Sequence, residues 1–312
     1  MTDPTQPLRV LILGGGGTLG AFSAGALLAL ERAGWIPDAM IGSSAGSINL
    51  LRYLVGGAEE AARFWTTLAW RPLLRIGAHH RMFRDGILDP ERFRARVEDG
   101  VDFDRLRADP RSVGFLVVNL ETGRVKVRGN RSEPDAEALR QVSAGSYALP
   151  PLLPPVPLGD ELLADGGLLH NAPLEQAMKL GATEILYLCN VQVLPRGEWA
   201  AGSALRATAR YMEIFFRRAS NVGFADAEIV EGHYRGVPFL TVAPPTSVRL
   251  ESIASWMLPT HRAMQKLVDF GRDCAERALS ARTLGGEPAR AHRPTVAVKQ
   301  ALRSETPTDR RS

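Results

Sequence analysis

Leu8-Arg9-Val10-Leu11-Ile12-Leu13-Gly14-Gly15-Gly16-Gly17-Thr18-Leu19-Gly20 is the stretch on which the fold turns. The apolar run from Leu8 to Leu13, with β-branched Val10 and Ile12, reads as a buried strand. Four glycines follow. Residues 21–33 then read as a helix, with Ala21, Ala24 and Gly25 small enough for close packing and Gly34 as its terminator. Consecutive glycines leave a row of backbone N–H groups uncovered, which suits either a phosphate or a developing oxyanion.

The next unit bears on that choice. Gly42-Ser43-Ser44-Ala45-Gly46 follows the apolar segment Ala39-Met40-Ile41 and precedes a helix-compatible run at 48–55. This is the strand, sharp turn and helix setting of a G-x-S-x-G nucleophile, whose tight turn admits only small residues beside the serine. Ser44 then projects at a helix N-terminus, where the dipole and N–H groups favour negative charge. Gly15, Gly17 and Gly20 also satisfy the G-x-G-x-x-G spacing of a dinucleotide site. That site calls for an acidic residue at the end of the second strand, ~20 residues on. Here the second strand ends in Ile41-Gly42-Ser43-Ser44, and Asp38 precedes it at the opposite end. No Lys follows the glycines, as a Walker-type loop requires. The oxyanion reading is favoured, and an NAD(P)-binding oxidoreductase stands as the alternative.

The third block is Leu162-Leu163-Ala164-Asp165-Gly166-Gly167, a short apolar strand that delivers Asp165 into a glycine turn. Alone it is a turn. Beside a serine nucleophile and a glycine loop it makes Asp165 the candidate base. His170, five residues on, is a second candidate, read as a loop histidine with a backbone hydrogen bond, since triad membership needs geometry. His233 lies in an expected surface turn. No histidine pair has helical metal-ligand spacing with a third ligand nearby, so neither metal nor cofactor is expected.

In order and spacing the three blocks resemble the patatin-like phospholipases, lipid acyl hydrolases that use a Ser–Asp dyad. The matching residues are Gly15 to Gly20, Gly42 to Gly46 and Asp165-Gly166-Gly167, supported by Ser146-Tyr147-Ala148-Leu149-Pro150 and Leu153-Pro154-Pro155-Val156 just upstream of the Asp. The resemblance is strongest over residues 8–190. It implies Ser44 as nucleophile, Asp165 as its base and the N–H groups of Gly15, Gly16 and Gly17 as oxyanion hole. Gly20, Gly42, Gly46, Gly166 and Gly167 become supporting motif positions. It also implies a three-layer α/β/α fold with a mostly parallel central sheet, and a lipid or other acyl-ester substrate. The family commonly places Arg or Lys before the last glycine of its first motif. Leu19 stands there instead, which points to less charged substrates and keeps a non-catalytic lipid-binding role as a further alternative.

A dyad makes a specific demand. The carboxylate itself must take the serine proton, and an Asp with a pKa of ~3.9 is a weak base near neutrality. Burial of Asp165 is therefore expected to raise its pKa.

The remaining sequence bounds the setting. A chain of 312 residues with 45% hydrophobic content can bury one full core. Residues 8–281 read as a single hydrolase domain, preceded by a polar N-terminus at 1–7 and followed by a basic tail at 282–312. That tail holds seven Lys/Arg against three Asp/Glu, which accounts for the net charge of +4. It reads as a solvated terminus, and no nucleic-acid partner is expected. The two cysteines, Cys189 and Cys274, suit a reducing compartment. With no apolar signal core and no run of ~20 apolar residues, a cytoplasmic location with optional peripheral membrane contact is expected. Further strands are expected at 113–120, 124–128, 184–189 and 238–243, with helices at 134–142, 173–180, 204–219 and 253–279. The segment 64–83 interleaves aromatic residues such as Trp65 and Trp70 with arginines. It reads as a helix packed on the core, with a membrane-facing or cleft-capping role as the alternative.

Overall fold

The computed structural model describes residues 8–74, 86–190, 229–244 and 260–283. Among these, ten strands form one mixed sheet. They are β1 (Arg9–Leu13), β2 (Ala39–Gly42), β3 (Ser112–Asn119), β4 (Val125–Gly129), β5 (Val156–Leu158), β6 (Glu161–Asp165), β7 (Glu184–Leu188), β8 (Ile229–Val230), β9 (His233–Tyr234) and β10 (Val237–Val242). The order across the sheet is β5-β6-β3-β2-β1-β7-β10-β9-β8, with β4 also paired to β3. The five middle strands, β3 to β10 in that order, run parallel. The margins are antiparallel: β4 and β6 on β3, β5 on β6, and the β8-β9-β10 meander.

Alternation along the parallel strands sends side chains to two cores, as the two-residue period of a strand dictates. Leu11, Leu13, Met40, Leu186 and Leu188 join the larger core, built with helices α1 (Gly20–Arg32), α2 (Ala45–Thr67) and α7 (His261–Thr283). Val10, Ile12, Ala39, Ile41, Ile185 and Tyr187 face the other way, onto Leu174 and Ala177 of α6 (Leu174–Lys179). Both faces of the sheet are covered, so its strands read as continuous apolar runs. The shorter helices α3 (Pro90–Val97), α4 (Phe103–Arg107) and α5 (Ala136–Gly145) lie toward the β3 side. Each of these three is N-capped by an aspartate. Asp89, Asp102 and Asp135 accept from the N–H groups of Arg92, Arg105 and Ala138 at 3.0, 2.9 and 2.7 Å.

The expected strand at 113–120 and its hairpin partner appear as β3 and β4, with Gly123 at φ 68 in the turn, a conformation glycine adopts without penalty. The helix expected at 48–55 begins earlier, at Ala45, and runs on to Thr67 through a kink where Gly56 and Gly57 leave helical geometry. Arg52 is buried beneath that kink, bound to Glu60 and to the Val97 and Asp99 carbonyls. Helices α3 and α4 had no expected counterpart, although Asp89-Pro90-Glu91 carries a helix-start signal. The expected helix at 204–219, the start of the one expected at 253–279 and most of the basic tail lie outside the described residues. Within 64–74, Phe64, Trp65 and Leu73 are buried, and half-buried Trp70 stacks toward Phe93 at 6.5 Å, so this part packs on the core. The rest of that segment lies outside the described residues.

Helix α7 crosses α1 at two glycines. A Cβ on Gly25 would overlap the Val268 carbonyl, and one on Gly271 would overlap the Phe22 carbonyl. The approach brings the Phe22 and Phe270 rings edge to face at 5.9 Å. Gly25→Ala should therefore force the helices apart and destabilise the protein by about 1–3 kcal/mol, read as a lowered urea midpoint with unchanged slope. An unchanged midpoint would show that the crossing is looser than described.

Candidate active site

The carboxyl ends of the parallel strands form the crevice in which α/β sheets hold their ligands. Strand β1 ends in the glycine loop, and β2 ends in the serine turn. Ser44 has φ 53 and ψ −124, a conformation that costs a non-glycine residue about 1–3 kcal/mol. It stands as the N-cap of α2, its carbonyl accepting from the N–H groups of Ser47 and Ile48 at 2.9 and 3.3 Å. Its own N–H donates to the Ser146 carbonyl at 2.9 Å, and the Ser43 N–H donates to Leu13 at 3.0 Å.

Asp165 reaches the same place from the antiparallel strand β6. It sits opposite Val117 of β3, two residues beyond Phe115, which is opposite Gly42 of β2. Its N–H donates to the Ala148 carbonyl at 3.0 Å. The turn after α5, residues 146–148, thus holds the backbones of Ser44 and Asp165 together.

The carboxyl group of Asp165 is buried and accepts from the Gly167 N–H at 2.8 Å, with the Ser44 side chain facing it. Burial pushes its pKa up to about 6, against the lowering effect of Ser44 and the Gly167 N–H. The result is a carboxylate at neutral pH that is a markedly better proton acceptor than an exposed aspartate.

The glycines are required by close approach. A Cβ on Gly15 would lie 2.8 Å from Ser44 Cβ, and one on Gly42 would lie 2.7 Å from Ser47 Cα. A Cβ on Gly46 would overlap the Leu13 carbonyl, and one on Gly167 would overlap Ser43 Oγ. At Gly20 a Cβ would meet the Trp65 ring at 2.5 Å, and at Gly166 the backbone of Val117 at 3.0 Å. The structure therefore brings Ser44, Asp165 and every named glycine to one site.

One expected role changes. The Gly15 N–H donates to Asn171 Oδ1 at 2.6 Å, within the protein, so it is already engaged. Gly16 and Gly17, at φ 153 and φ 58, follow it in the loop. Leu19 is buried in the short 3-10 turn that follows, and offers no charge to the cleft.

His170 stays apart from the pair. Its backbone N–H donates to the Gly166 carbonyl at 3.0 Å. No hydrogen bond of the described residues joins its ring to Ser44 or Asp165. Partial burial lowers its pKa, against the raising effect of Glu175, which favours the neutral ring. His233 opens β9, just after the β8–β9 turn, with Nδ1 at 3.0 Å from the Glu231 carbonyl. Asp38, the nearest carboxylate to β2, accepts from the Arg9 N–H at 2.8 Å at the amino end of the sheet, away from any position that could reach a ribose.

Asn171 and Asn190 escaped the sequence reading, and Ser146 entered it only within a block that supports the family resemblance. All are fully buried. A polar residue directly beyond an apolar strand, as Asn190 is beyond β7, is the signal that could have found one of them.

A largely parallel sheet with a glycine loop after its first strand and a serine turn after its second defines the patatin-like class of α/β fold. The chain belongs to the patatin-like phospholipase family, whose model matches residues 11–178, more than half of its length. It is 29% identical over 197 residues to a patatin-like phospholipase domain-containing protein of Caenorhabditis elegans, covering 58% of this chain and 13% of that relative. It is also 29% identical over 170 residues to an uncharacterized NTE family protein of Mycobacterium tuberculosis, covering 54% of this chain and 45% of that one. The chain thus spans less than half the length of these relatives. Among solved structures, VipD from Legionella pneumophila shares the fold with a TM-score of 0.51 at 16% identity, covering 88% of this chain and 67% of that one.

The raised pKa of Asp165 has a consequence for stability. The unfolded chain releases this proton near 3.8 and the folded chain near 6. Between those values the folded state holds more protons, so Asp165 removes stability as pH rises through this window, by on the order of 3 kcal/mol once complete. Below pH 4 that cost is absent. Asp165→Asn should therefore gain stability over wild type as pH rises from 4 to 7, as followed by urea unfolding at several pH values. A difference that does not vary with pH would show an aspartate that ionises normally.

Proposed function

We propose that the protein is a serine acyl hydrolase acting on lipid carboxylic esters. The observation that carries this reading is the placement of Ser44, at its strained turn, beside the buried Asp165 carboxyl group, with residues 146–148 holding both backbones and the glycine loop packed against the serine. Ser44 Oγ attacks the ester carbonyl carbon while its proton passes to Asp165. The carbonyl oxygen becomes an oxyanion held by the N–H groups of Gly16 and Gly17, assisted by the N-terminus of α2. Asp165 then protonates the leaving alkoxide, and the C–O bond breaks to give an acyl-enzyme. Water attacks this ester with Asp165 again as base, releasing the fatty acid and restoring Ser44.

Family membership supports a lipid substrate. The buried Leu19 supports neutral or weakly charged esters over strongly anionic ones. Among the described residues no helix is long and apolar enough to cross a membrane. Contact with lipid is then proposed as peripheral, and the domain as residues 8–281.

A fluorophosphonate probe followed by peptide mapping should label wild type at Ser44, and Ser44→Ala should not label. Asp165→Asn should lose about 10²–10⁴-fold in ester hydrolysis. Because the carboxylate is the active form, kcat/KM should rise with pH through an apparent pKa near 6 and level off above it. An acidic limb near pH 4, or folded wild type that resists the probe, would remove the assignment.

A further inference from the structure

The glycine loop is the least constrained part of the proposed catalytic site and the part whose direction matters most. Glycine lacks the side-chain contacts that fix other residues, and Gly14-Gly15-Gly16-Gly17 has four in succession. Something outside the loop must aim its N–H groups.

Two asparagines meet the loop at adjacent atoms. Asn190 Nδ2 donates to the Gly14 carbonyl at 2.7 Å, and Asn171 Oδ1 accepts from the Gly15 N–H at 2.6 Å. The Gly14 carbonyl and the Gly15 N–H belong to one peptide group, which is planar and rigid. Each asparagine holds one end of that plane. The amide orientations follow from chemistry: a carbonyl can only accept and an N–H can only donate. Asn190 is itself oriented, because its Oδ1 accepts from the Ser23 hydroxyl of α1 at 2.5 Å. Next to it, the Gly14 N–H donates to Leu188 of β7 at 3.0 Å.

Both side chains are fully buried, and Asn171 Nδ2 has no hydrogen-bond partner among the described residues. An unpaired buried amide nitrogen costs desolvation energy that an apolar side chain would avoid. What the asparagine contributes at this position is its oxygen, and that oxygen is bound to the loop. Asn171 also lies beside the aspartate turn: a Cβ on Gly167 would be 3.0 Å from Asp165 Oδ1 and 3.2 Å from Asn171 Oδ1.

We propose that Asn171 and Asn190 are positioning residues that clamp the Gly14–Gly15 peptide from both ends and so set the direction of the following N–H groups toward the oxyanion. The clamp joins three separate segments, the loops after β1, β6 and β7, at the point where Gly15 touches Ser44. This rests on Ser44 being the nucleophile.

The test measures hydrolysis of p-nitrophenyl butyrate by Asn171→Ala, Asn190→Ala and the double variant. Each single variant should lose about 100-fold in kcat, the scale of one misplaced oxyanion donor, with KM within about threefold. The double variant should fall little further, because both residues act on one peptide. In a Ser44→Cys background, alkylation of residue 44 by iodoacetamide forms a C–S bond without an oxyanion. Its rate should stay within about twofold in all variants. Unchanged kcat in both single variants would overturn the clamp. So would losses that multiply in the double variant, or alkylation that falls in step with hydrolysis, since both mark general disruption. Asn171 and Asn190 lie in different segments, so either variant carries the test if the other does not fold. Failure of the Ser44 assignment is a separate result, seen as wild type that neither hydrolyses the ester nor takes a fluorophosphonate, and it would bring the clamp down with it.

Discussion

Three turns meet at the carboxyl ends of β1, β2 and β6 with almost nothing between their backbones, and the rest of the site depends on that approach. A hydrogen is the only side chain that fits at Gly46 against the Leu13 carbonyl, at Gly15 against Ser44 and at Gly167 against Ser43. Any larger group would force these segments to shift apart. The approach also sustains the backbone strain at Ser44. Neighbours over-determine its conformation: the Ser43 N–H is held by Leu13, the Ser44 N–H by Ser146, and the Ser44 carbonyl by the first turn of α2.

The same packing sets the electrostatics. Asp165 is shut away from water by the turns that bring it to Ser44, and its raised pKa follows from that burial. Ser44 and the Gly167 N–H moderate the effect without cancelling it. A carboxylate so placed is costly to the fold above pH 6 and useful to a reaction in which it must take a proton directly. In the proposed mechanism, stability is given up at the residue where basicity is needed, as is common where polar groups are buried for a task. The unpaired Asn171 nitrogen is a second instance within a few ångströms of the first.

The match to the family model ends at residue 178, shortly after the aspartate turn. The structure extends the functional unit further. Strand β7 pairs with β1 along its whole length, lies between β1 and β10 beside the glycine loop, and delivers Asn190 to the Gly14 carbonyl. Helix α7 then covers α1 through the Gly25 and Gly271 crossing, fixing the helix that carries Ser23. Segments outside the recognised motif therefore support its most pliable element. This chain spans only part of the length of these relatives.

Much of this was readable along the chain. The strand, glycine loop and helix of residues 8–33, the turn at Ser44 and the aspartate turn at 165 are local patterns, each set by apolar runs and by glycine within a dozen residues. The parallel core followed from alternating strands and helices. Other features depend on residues that meet from far apart. The antiparallel entry of β6, which points Asp165 at Ser44, comes from its register on β3. The burial that lifts its pKa comes from segments around residues 44, 117, 148 and 167. The engagement of Gly15 by Asn171 joins positions 156 residues apart, and no composition or spacing encodes it. The sequence by itself determined which chemical groups exist and the local turns that display them. Only the tertiary structure decided which N–H groups are already engaged and how strong a base the aspartate is, because both depend on what the folded chain places beside them.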